Sequence, residues 1–505
     1  MQGENPRCLR AGKGFQSFIS MPLPSHKTKI VATIGPASDT PEMLEKLFAA
    51  GVNIARLNFS HGDFTGHGAR IARIRAAELA SGQRVAIMAD LPGPKMRVGQ
   101  IPGEPIQLRP GDPFVLTSED VPGDQQRVSM SFEPLPRVVK PGDRLFLNDG
   151  LVQLVVEHVA GNDVHCRVAV GGELRSKKGL NLPGIDLGMS AFTEHDRACL
   201  AFALSHGVDA VSQSFVESAA DIEAVRAAAA ALGKSPFIIA KIERADALKN
   251  FDKILEAADG IMVARGDLGV EVPIEEMAIL QKDLITRANI AGKPVITATQ
   301  MLESMVSSRL PTRAEATDVA NAILDGTDCL MLSGESAMGQ FPEEAVAMLA
   351  KIAAFTEPRR PALRLDAMRK LCRQQAPDTR AEAMSAVAEY ALKTLSFSAV
   401  FVPTRGGSMA RMISRYKPQV WIIAVSLDHA SCQNLVFSYG VVPVERGEAP
   451  VDWHQFAEAW VAAHGLPGTL AMLVAGPSIH SPAANDRVEF MRVGGPPNTE
   501  SLEGG

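Results

Sequence analysis

The chain has 505 residues, of which 46% are apolar and 21% are charged, and its formal net charge is −6. This composition is that of a globular protein with room for about three domains. The acidic balance argues against binding to nucleic acid or to an anionic membrane, although local basic residues can still hold phosphate. The six cysteines show no CxxC spacing, and no apolar run reaches membrane-spanning length. We therefore expect a cytoplasmic enzyme with reduced thiols.

Eight strand-length apolar runs follow residues 1–24, which we expect to be a disordered leader because they lack a hydrophobic signal core. The predicted strands are 29–35, 53–59, 85–90, 209–215, 237–243, 260–266, 294–300 and 329–335. Helical patterns fill most of the gaps, at 41–50, 66–80, 218–232, 245–257, 275–291 and 313–324. Strands that alternate with helices in this number predict a (β/α)8 TIM barrel, an α/β fold, over residues 25–96 and 184–357.

Two further units accompany the barrel. Residues 97–183 are rich in Gly, Pro and short alternating strands, which predicts a small inserted β-barrel lid domain after the third barrel strand. An insertion there lies over the catalytic face of a barrel; a passive decoration is the alternative. A βαβ pattern then predicts a C-terminal α/β domain over residues 358–493, with a candidate regulatory role. The Gly- and Pro-rich residues 494–505 are expected to fray.

Charged residues end two neighbouring predicted strands. Lys241 and Glu243 share a face, because side chains two apart on a strand point the same way, and Asp267 follows the next strand. The carboxyl ends of all barrel strands meet on one face. One cation beside two carboxylates suits chemistry on a metal-bound anion, since Mg2+ and Mn2+ prefer such oxygen ligands. The alternative is a buried ion pair between Lys241 and either carboxylate.

Polar residues also end other strands. Alternation places Arg56 on one face with Asn58 and Ser60, a guanidinium suited to phosphate beside two neutral oxygen ligands. Each such residue alone is more often a helix cap or part of a solvated loop. Together, at one end of a barrel, they predict an active site. The remaining members of this set are Asp90, Thr297, Thr299, Ser333 and Glu335.

Seven segments of the chain form a recognisable set. They are KTKIVATIGPAS (27–38), ARLNFSHG (55–62), SKKGLNLPG (176–184), IIAKIE (238–243), GIMVARGDLGVE (260–271), KPVITATQMLESM (293–305) and PTRAEATDVANAILDGTDCLMLSGESAMGQFP (311–342). The chain thereby resembles the pyruvate kinase family, from about Lys27 to Pro342 and more faintly to Val493. The resemblance implies the same three-domain architecture, a homotetramer, and phosphoryl transfer from phosphoenolpyruvate to ADP in glycolysis. It also implies Mg2+ or Mn2+, with two ions per active site and one of them carried by ADP.

The resemblance assigns a role to each candidate. Glu243 and Asp267 would ligate the metal that holds phosphoenolpyruvate, and Lys241 would face the transferring phosphoryl group. Ser333 and Glu335 would relay a proton to the enolate, which completes a catalytic set with Lys241, Arg56 and Thr299. The substrate would be held by Arg56, Gly266, Asp267 and Thr299. The nucleotide would be bound by Arg97, Lys178, Asn58 and His61.

The chain departs from the family pattern at residues 90–95, which read DLPGPK. Most members read DTKGPE there and hold a potassium ion among residues that match Asn58, Ser60, Asp90 and Leu91. Lys95 stands where that glutamate would be. Our hypothesis is that its ammonium replaces the ion, as in members that resemble a potassium-independent subgroup, so that K+ is not required. A solvated lysine is the alternative.

The sequence leaves open which effector regulates the protein and which reaction the site performs. In relatives the C-terminal domain binds sugar-phosphate effectors at a turn that Thr404–Ser408 partly keeps, so a sugar phosphate or AMP is the expected effector. A metal-dependent lyase or aldolase acting on the enolate of pyruvate would share Lys241, Glu243 and Asp267. A binding protein with a degenerate site is the third reading.

Overall fold

The computed structural model describes residues 22–94, 96–361, 367–368, 370, 379–476 and 485–494. Most of the predicted leader, most of the predicted C-terminal tail, and Lys95 lie outside these residues. None of the described helices is long and apolar enough to cross a membrane.

The predicted TIM barrel is confirmed. Its strands in chain order are Lys29–Thr33, Val52–Asn58, Ala86–Leu91, Ala210–Gln213, Phe237–Ile242, Gly260–Ala264, Val295–Ala298 and Cys329–Leu332. Each strand pairs in parallel with the next, and the eighth returns to the first, where Lys29 pairs with Cys329. Most residues of these strands are buried, because helices cover the outside and side chains fill the interior.

Helices lie between the barrel strands. They are Pro41–Ala50, Phe64–Ser81, Glu194–Ser205, Ala219–Ala231, Ala245–Lys249, Phe251–Ala257, Arg265–Glu271, Met277–Ala291, Arg313–Asp325, Gly334–Ala337 and Pro342–Thr356, with 3-10 turns at Ile274–Glu276, Glu303–Val306 and Glu357–Arg359. The start of Arg313–Asp325 is specified locally: the Thr312 hydroxyl accepts from the Glu315 N–H, and the Glu315 carboxylate accepts from the Thr312 N–H. The sequence pattern did not assign Glu194–Ser205 or Pro342–Thr356.

Several predicted strands run too far at their carboxyl ends. The sixth strand ends at Ala264, and Arg265–Glu271 is a helix, so Asp267 lies in a first helical turn rather than at a strand tip. The eighth strand likewise ends at Leu332, before Gly334–Ala337. The reason is that the helix at Arg265 begins directly after the strand, and no side-chain capping hydrogen bond at Ala264 marks its start.

The inserted segment is built from short strands around its own apolar core. Its strands are Ile106–Leu108, Pro113–Thr117, Arg127–Ser129, Arg144–Leu147, Val152–Ala160, Asp163–Val170, Gly172–Leu174 and Leu180–Asn181, with one short helix, Leu135–Val138. Six of them form one sheet, and the other two form a separate pair. The separate pair is Ile106–Leu108 with Gly172–Leu174, which meet over three residues. The boundaries between the domains stay predictions.

The C-terminal unit is a five-stranded sheet with four described helices. Its strand order is Val441–Glu445, Trp421–Ser426, Ala399–Pro403, Leu470–Ala475 and Arg487–Arg492, of which the last is antiparallel. The helices are Arg380–Thr394, Ser408–Ser414, His429–Leu435 and Trp453–Ala463. This unit packs against the amino ends of the barrel strands, since Lys29 Nζ donates to the Val441 carbonyl at 2.8 Å. It therefore lies at the opposite end of the barrel from the predicted site.

Candidate active site

Lys241 lies near the carboxyl end of the fifth barrel strand and is buried. Its Nζ is 2.7 Å from Glu243 Oε1 and 3.4 Å from Asp90 Oδ1, and it donates to Ser214 Oγ at 2.6 Å. The shared face predicted for Lys241 and Glu243 is therefore present, and so is the buried ion pair that was the alternative. The two are compatible, because a cation that neutralises carboxylates in the free site also lies where an anionic substrate would meet it.

Burial dominates the electrostatics of the carboxylates. It raises the pKa of Glu243 to about 7, which Lys241 opposes and Asp267 reinforces. Desolvation by the surrounding protein also raises the pKa of Asp267, with Lys241 again opposing, although the residue is exposed. Burial alone would lower the pKa of Lys241, but Asp90 and Glu243 hold that pKa above its ordinary value. Lys241 therefore stays charged at neutral pH. The ionised forms of Glu243 and Asp267 are disfavoured, whereas that of Asp90 is not.

This donor set fits a divalent cation. Glu243 and Asp267 supply the hard oxygen ligands that Mg2+ or Mn2+ takes, and a cation there would relieve the cost of ionising them. Within the described residues there is no group of three or more His, Cys, Asp or Glu placed to hold a metal. The protein would therefore leave several metal positions to water or substrate, as is usual for Mg2+.

Asp90 links the two cations of the site. Arg56 Nε donates to Asp90 Oδ2 at 3.2 Å and Arg56 Nη2 pairs with the same oxygen, while Ser212 Oγ donates to Asp90 Oδ1 at 2.7 Å. Burial of Asp90 is outweighed by Arg56 and Lys241, so the pKa of Asp90 lies below its ordinary value. The sequence placed Asp90 among the polar residues at strand ends and near a potassium ion. The structure adds that its carboxylate orients both Arg56 and Lys241.

The fourth barrel strand supplies residues that the sequence reasoning missed. Ser212 and Ser214 stand two residues apart at its carboxyl end. The Ser212 hydroxyl donates to Asp90, and the Ser214 hydroxyl accepts from Lys241. The next residue, Phe215, has a φ of +58° and donates its N–H to Glu243 Oε2 at 2.8 Å. The i, i+2 spacing of the two serines is a signal that could have identified them.

Gly266 and Thr299 form a second part of the site. The Gly266 N–H donates to Thr299 Oγ1 at 2.7 Å, and this hydroxyl donates to the Ala298 carbonyl at 2.7 Å. Thr299 has a φ of +66°, which is strained for a β-branched residue. Arg265 holds this conformation, because its Nη2 donates to the Thr299 carbonyl at 2.7 Å while its Nη1 pairs with Asp318 at 2.7 Å.

Ser333 and Glu335 lie just beyond the eighth strand. Glu335 is completely buried, and its two carboxylate oxygens accept from the Ser333 N–H at 2.7 Å and from the Leu302 N–H at 3.1 Å. This carboxylate therefore braces the backbone of two loops. Thr297 is also buried, with its hydroxyl donating at 2.9 Å to Thr327 Oγ1, just before the eighth strand.

The predicted cation and nucleotide residues fall into two places. Asn58 Oδ1 accepts from the Ser60 N–H at 3.0 Å, and the Asn58 carbonyl accepts from the His61 N–H at 3.2 Å, which forms a turn beside the end of the third strand at Leu91. Lys95 lies outside the described residues. In the lid, the Val98 N–H donates to the Lys178 carbonyl at 2.9 Å, so that Lys178 lies on the segment paired with Arg97.

The lid meets the barrel at the helix that carries Asp267. A Cβ on Gly150 would lie 3.4 Å from Val270 Cγ1, and the charge of Asp149 adds to desolvation in raising the pKa of Asp267, against the opposing effect of Lys241. The inserted unit thus lies at the same end of the barrel as the clustered charges.

The chain is similar to known proteins over most of its length. A family model described as pyruvate kinase, barrel domain, matches residues 25–346, and one described as pyruvate kinase, alpha/beta domain, matches residues 382–487. A pyruvate kinase of Thermococcus litoralis is 50% identical over 424 residues, which cover 84% of this chain and 89% of the relative. Pyruvate kinase 2 of Synechocystis is 47% identical over 429 residues, covering 84% and 71%. A pyruvate kinase of Geobacillus stearothermophilus is 43% identical over 422 residues, covering 83% and 71%.

Proposed function

The chain belongs to the pyruvate kinase family and is a phosphotransferase, and we propose that it transfers the phosphoryl group of phosphoenolpyruvate to ADP, giving pyruvate and ATP in glycolysis. The observation that carries the proposal is the buried cluster in which Lys241 contacts Glu243 and Asp90. A cation fixed in this way needs no reorganisation when negative charge develops beside it. ADP-dependent release of pyruvate, followed with a coupled dehydrogenase, tests the proposal.

Each charged group has a distinct task in this reaction. Mg2+ or Mn2+ on Glu243 and Asp267 would neutralise oxygens of the phosphoryl group and of the enolate when bound. Lys241 stabilises the enolate oxygen and the phosphoryl group in transfer, because its ammonium stays charged at neutral pH. Arg56, oriented by Asp90, holds the phosphoryl oxygens through its remaining N–H groups.

The neutral groups position the substrate. In the free site the Gly266 N–H donates to the Thr299 hydroxyl, which donates to the Ala298 carbonyl, and both donors would turn to the substrate carboxylate when it binds. Ser333 is our proposed relay for the proton that the enolate carbon takes up, with Glu335 holding the Ser333 backbone in place. Arg97, Lys178, Asn58 and His61 are the proposed nucleotide ligands, and a second metal ion would arrive with ADP.

We further propose that K+ is not required. Arg56 pairs with Asp90, but Lys241 lies closer to Glu243 than to Asp90, so the site can accept a further positive charge beside Asp90. The Lys95 ammonium would supply the remaining positive charge near Asn58, Ser60 and Leu91.

The rest of the proposal concerns the assembly and its control. It comprises a cytoplasmic homotetramer with a sugar phosphate or AMP as effector at Thr404–Ser408. In that turn Gly407 has a φ of +82° and donates its N–H to Thr404 Oγ1 at 2.9 Å, while Arg405 is exposed. Titration of sugar phosphates and AMP against the phosphoenolpyruvate velocity curve tests it, and an unchanged half-saturation point would count against it.

One competing function uses the same carboxylates. A lyase or aldolase acting on the enolate of pyruvate would need Lys241, Glu243 and Asp267 but neither ADP nor the lid residues Arg97 and Lys178. Pyruvate release that does not depend on ADP would favour it. A degenerate binding protein would release no pyruvate under either condition.

A further inference from the structure

Arg244 is the bulkiest fully buried side chain among the described residues, with 1% of its surface exposed. It directly follows Glu243, and nothing in the reaction described above uses it. An arginine buried so completely must be compensated by partners, because an unpaired guanidinium is costly to remove from water. Its partners come from three separate segments of the chain.

The first partner is Glu217, which lies beyond the fourth barrel strand. Arg244 Nε is 3.0 Å from Glu217 Oε1. The segment that leads to Glu217 contains Ser214 and Phe215, which contact Lys241 and Glu243. Arg244 therefore ties the fifth strand to the segment that holds one oxygen of Glu243.

The second partner is Glu271, at the end of the helix that carries Asp267. Arg244 Nη1 lies 3.8 Å from Glu271 Oε1, and the Ala245 N–H donates to Glu271 Oε2 at 3.4 Å. Asp267 and Glu271 are four residues apart in one helix, so they lie one turn apart. The contact between Glu271 and Arg244 fixes the rotation of that helix about its axis and its position along the axis. It thereby fixes the position of Asp267 relative to Glu243.

The third partner belongs to the segment that returns from the lid. Arg244 Nη2 donates to the Ile185 carbonyl at 2.7 Å, and Ile185 packs in the apolar core of the lid. One rigid, planar guanidinium thus spans two carboxylates and a carbonyl, which a lysine cannot do with a single ammonium.

We propose that Arg244 is a positioning residue for the metal site: it sets the separation of Glu243 and Asp267 by holding Glu217, Glu271 and Ile185 at once. This inference rests on the proposed function, because it assumes that the two carboxylates bind the metal. Arg244 does not touch the metal or the substrate, and it acts through the backbone of Glu243 and through the Asp267 helix. Residues that orient ligands in this way commonly change metal affinity by about 10–100-fold.

The experiment measures Mn2+ binding to the substrate-free enzyme by electron paramagnetic resonance, together with thermal unfolding. Arg244→Met should weaken Mn2+ binding by about tenfold or more. Arg244→Lys should recover much of the thermal stability, since it restores a charge, but little of the Mn2+ affinity. Unchanged Mn2+ affinity in Arg244→Met would overturn the proposal.

A matched control is Arg415→Met. Arg415 is another buried arginine, paired with Glu382 and donating to the Ile290 carbonyl at 3.0 Å, at the C-terminal unit. It should lose thermal stability while keeping the wild-type Mn2+ affinity. An equal loss of Mn2+ affinity in Arg415→Met would mean that general loosening, rather than positioning, weakens the site, and would also overturn the proposal.

Two further variants keep the outcome decisive. If Arg244→Met does not fold, Glu271→Gln replaces it, and an unchanged Mn2+ affinity there overturns the proposal in the same way. Asp267→Asn tests the underlying metal site. If wild type and Asp267→Asn bind Mn2+ equally, the metal ligands themselves are wrong, which is a failure of the proposed function and is distinct from a failure of the Arg244 inference.

Discussion

Lys241 Nζ lies 2.7 Å from Glu243 Oε1, and both side chains are buried at the carboxyl end of one barrel strand. Asp90 adds a second carboxylate contact and Ser214 a hydrogen bond. The ammonium is therefore held from several directions before any substrate arrives. This arrangement underlies the expected consequences of changing the site.

Replacing Lys241 by Met should lower kcat by about 100–1,000-fold, the usual effect of removing one preorganised group that stabilises developing charge. The steady-state rate with saturating phosphoenolpyruvate, ADP and Mg2+ measures it. Lys46→Met is a suitable control, because Lys46 is an exposed lysine whose side chain is 58% accessible. A kcat within tenfold of wild type would show that Lys241 is not the group that stabilises the transition state.

The Thr299 hydroxyl should matter more than its methyl group. Thr299→Ser keeps the hydroxyl, and we expect kcat/KM for phosphoenolpyruvate to stay near the wild-type value. Thr299→Ala removes it and should lower kcat/KM by about 10–100-fold, as expected for a lost hydrogen bond to a charged group. Since both remove a β-branched residue at a φ of +66°, neither should cost more than about 1 kcal/mol of unfolding free energy. Equal activity of the two variants would contradict the assignment.

Potassium should have little effect on the wild-type enzyme. In tetramethylammonium buffer, adding K+ should leave the rate almost unchanged, because the Lys95 ammonium supplies the charge. Lys95→Glu should lower the rate without K+ and regain activity when K+ is added, whereas the exposed lid residue Lys140, changed to Glu, should show neither effect. Strong K+ activation of the wild type would refute the hypothesis.

The buried Lys29 predicts a pH dependence of stability that is unrelated to the site. Burial lowers the pKa of Lys29 from 10.5 to about 8. Below pH 8 the folded and unfolded chains both carry the proton, so the buried charge lowers the free energy of unfolding by its full amount. That amount is about 3 kcal/mol, at about 1.4 kcal/mol per unit of pKa. As pH rises from 8 to 10.5 the folded chain loses its proton first, and the cost disappears.

The free energy of unfolding of the wild type should therefore rise between pH 8 and 10.5, and Lys29→Met should abolish this part of the rise. The measurement compares the free energy of unfolding of wild type and Lys29→Met from pH 7.5 to 10.5 in denaturant. The variant should be the more stable protein at pH 7.5, and the two should converge at high pH. Parallel curves would contradict the shifted pKa.

The barrel could be predicted because its strands are apolar on both faces and alternate with amphipathic helices, patterns that are local in sequence. The ends of the strands could not. The helix Arg265–Glu271 begins directly after the strand Gly260–Ala264, and no capping side chain at Ala264 marks the change, so only the backbone geometry separates the two elements. Asp267 was thus predicted as a site residue but placed on the wrong element.

The contacts between side chains of the site were harder to predict than the residues that form it. Arg56 was expected to reach phosphate, and the structure adds its contact with Asp90. That contact depends on the pairing of the second strand with the third, where Asn58 stands opposite Asp90. The role inferred for Arg244 was invisible for the same reason, because Glu217, Glu271 and Ile185 are remote from it in the sequence and meet it only in the folded barrel.

The most direct test of the proposed reaction is to follow phosphorus by NMR in a mixture of phosphoenolpyruvate, ADP, Mg2+ and the enzyme without K+. We expect the phosphoenolpyruvate signal to decline as the γ-phosphate signal of ATP appears in equal amount, and Lys241→Met to leave both nearly unchanged. Loss of phosphoenolpyruvate with release of inorganic phosphate instead of ATP, or no reaction at all, would contradict the account.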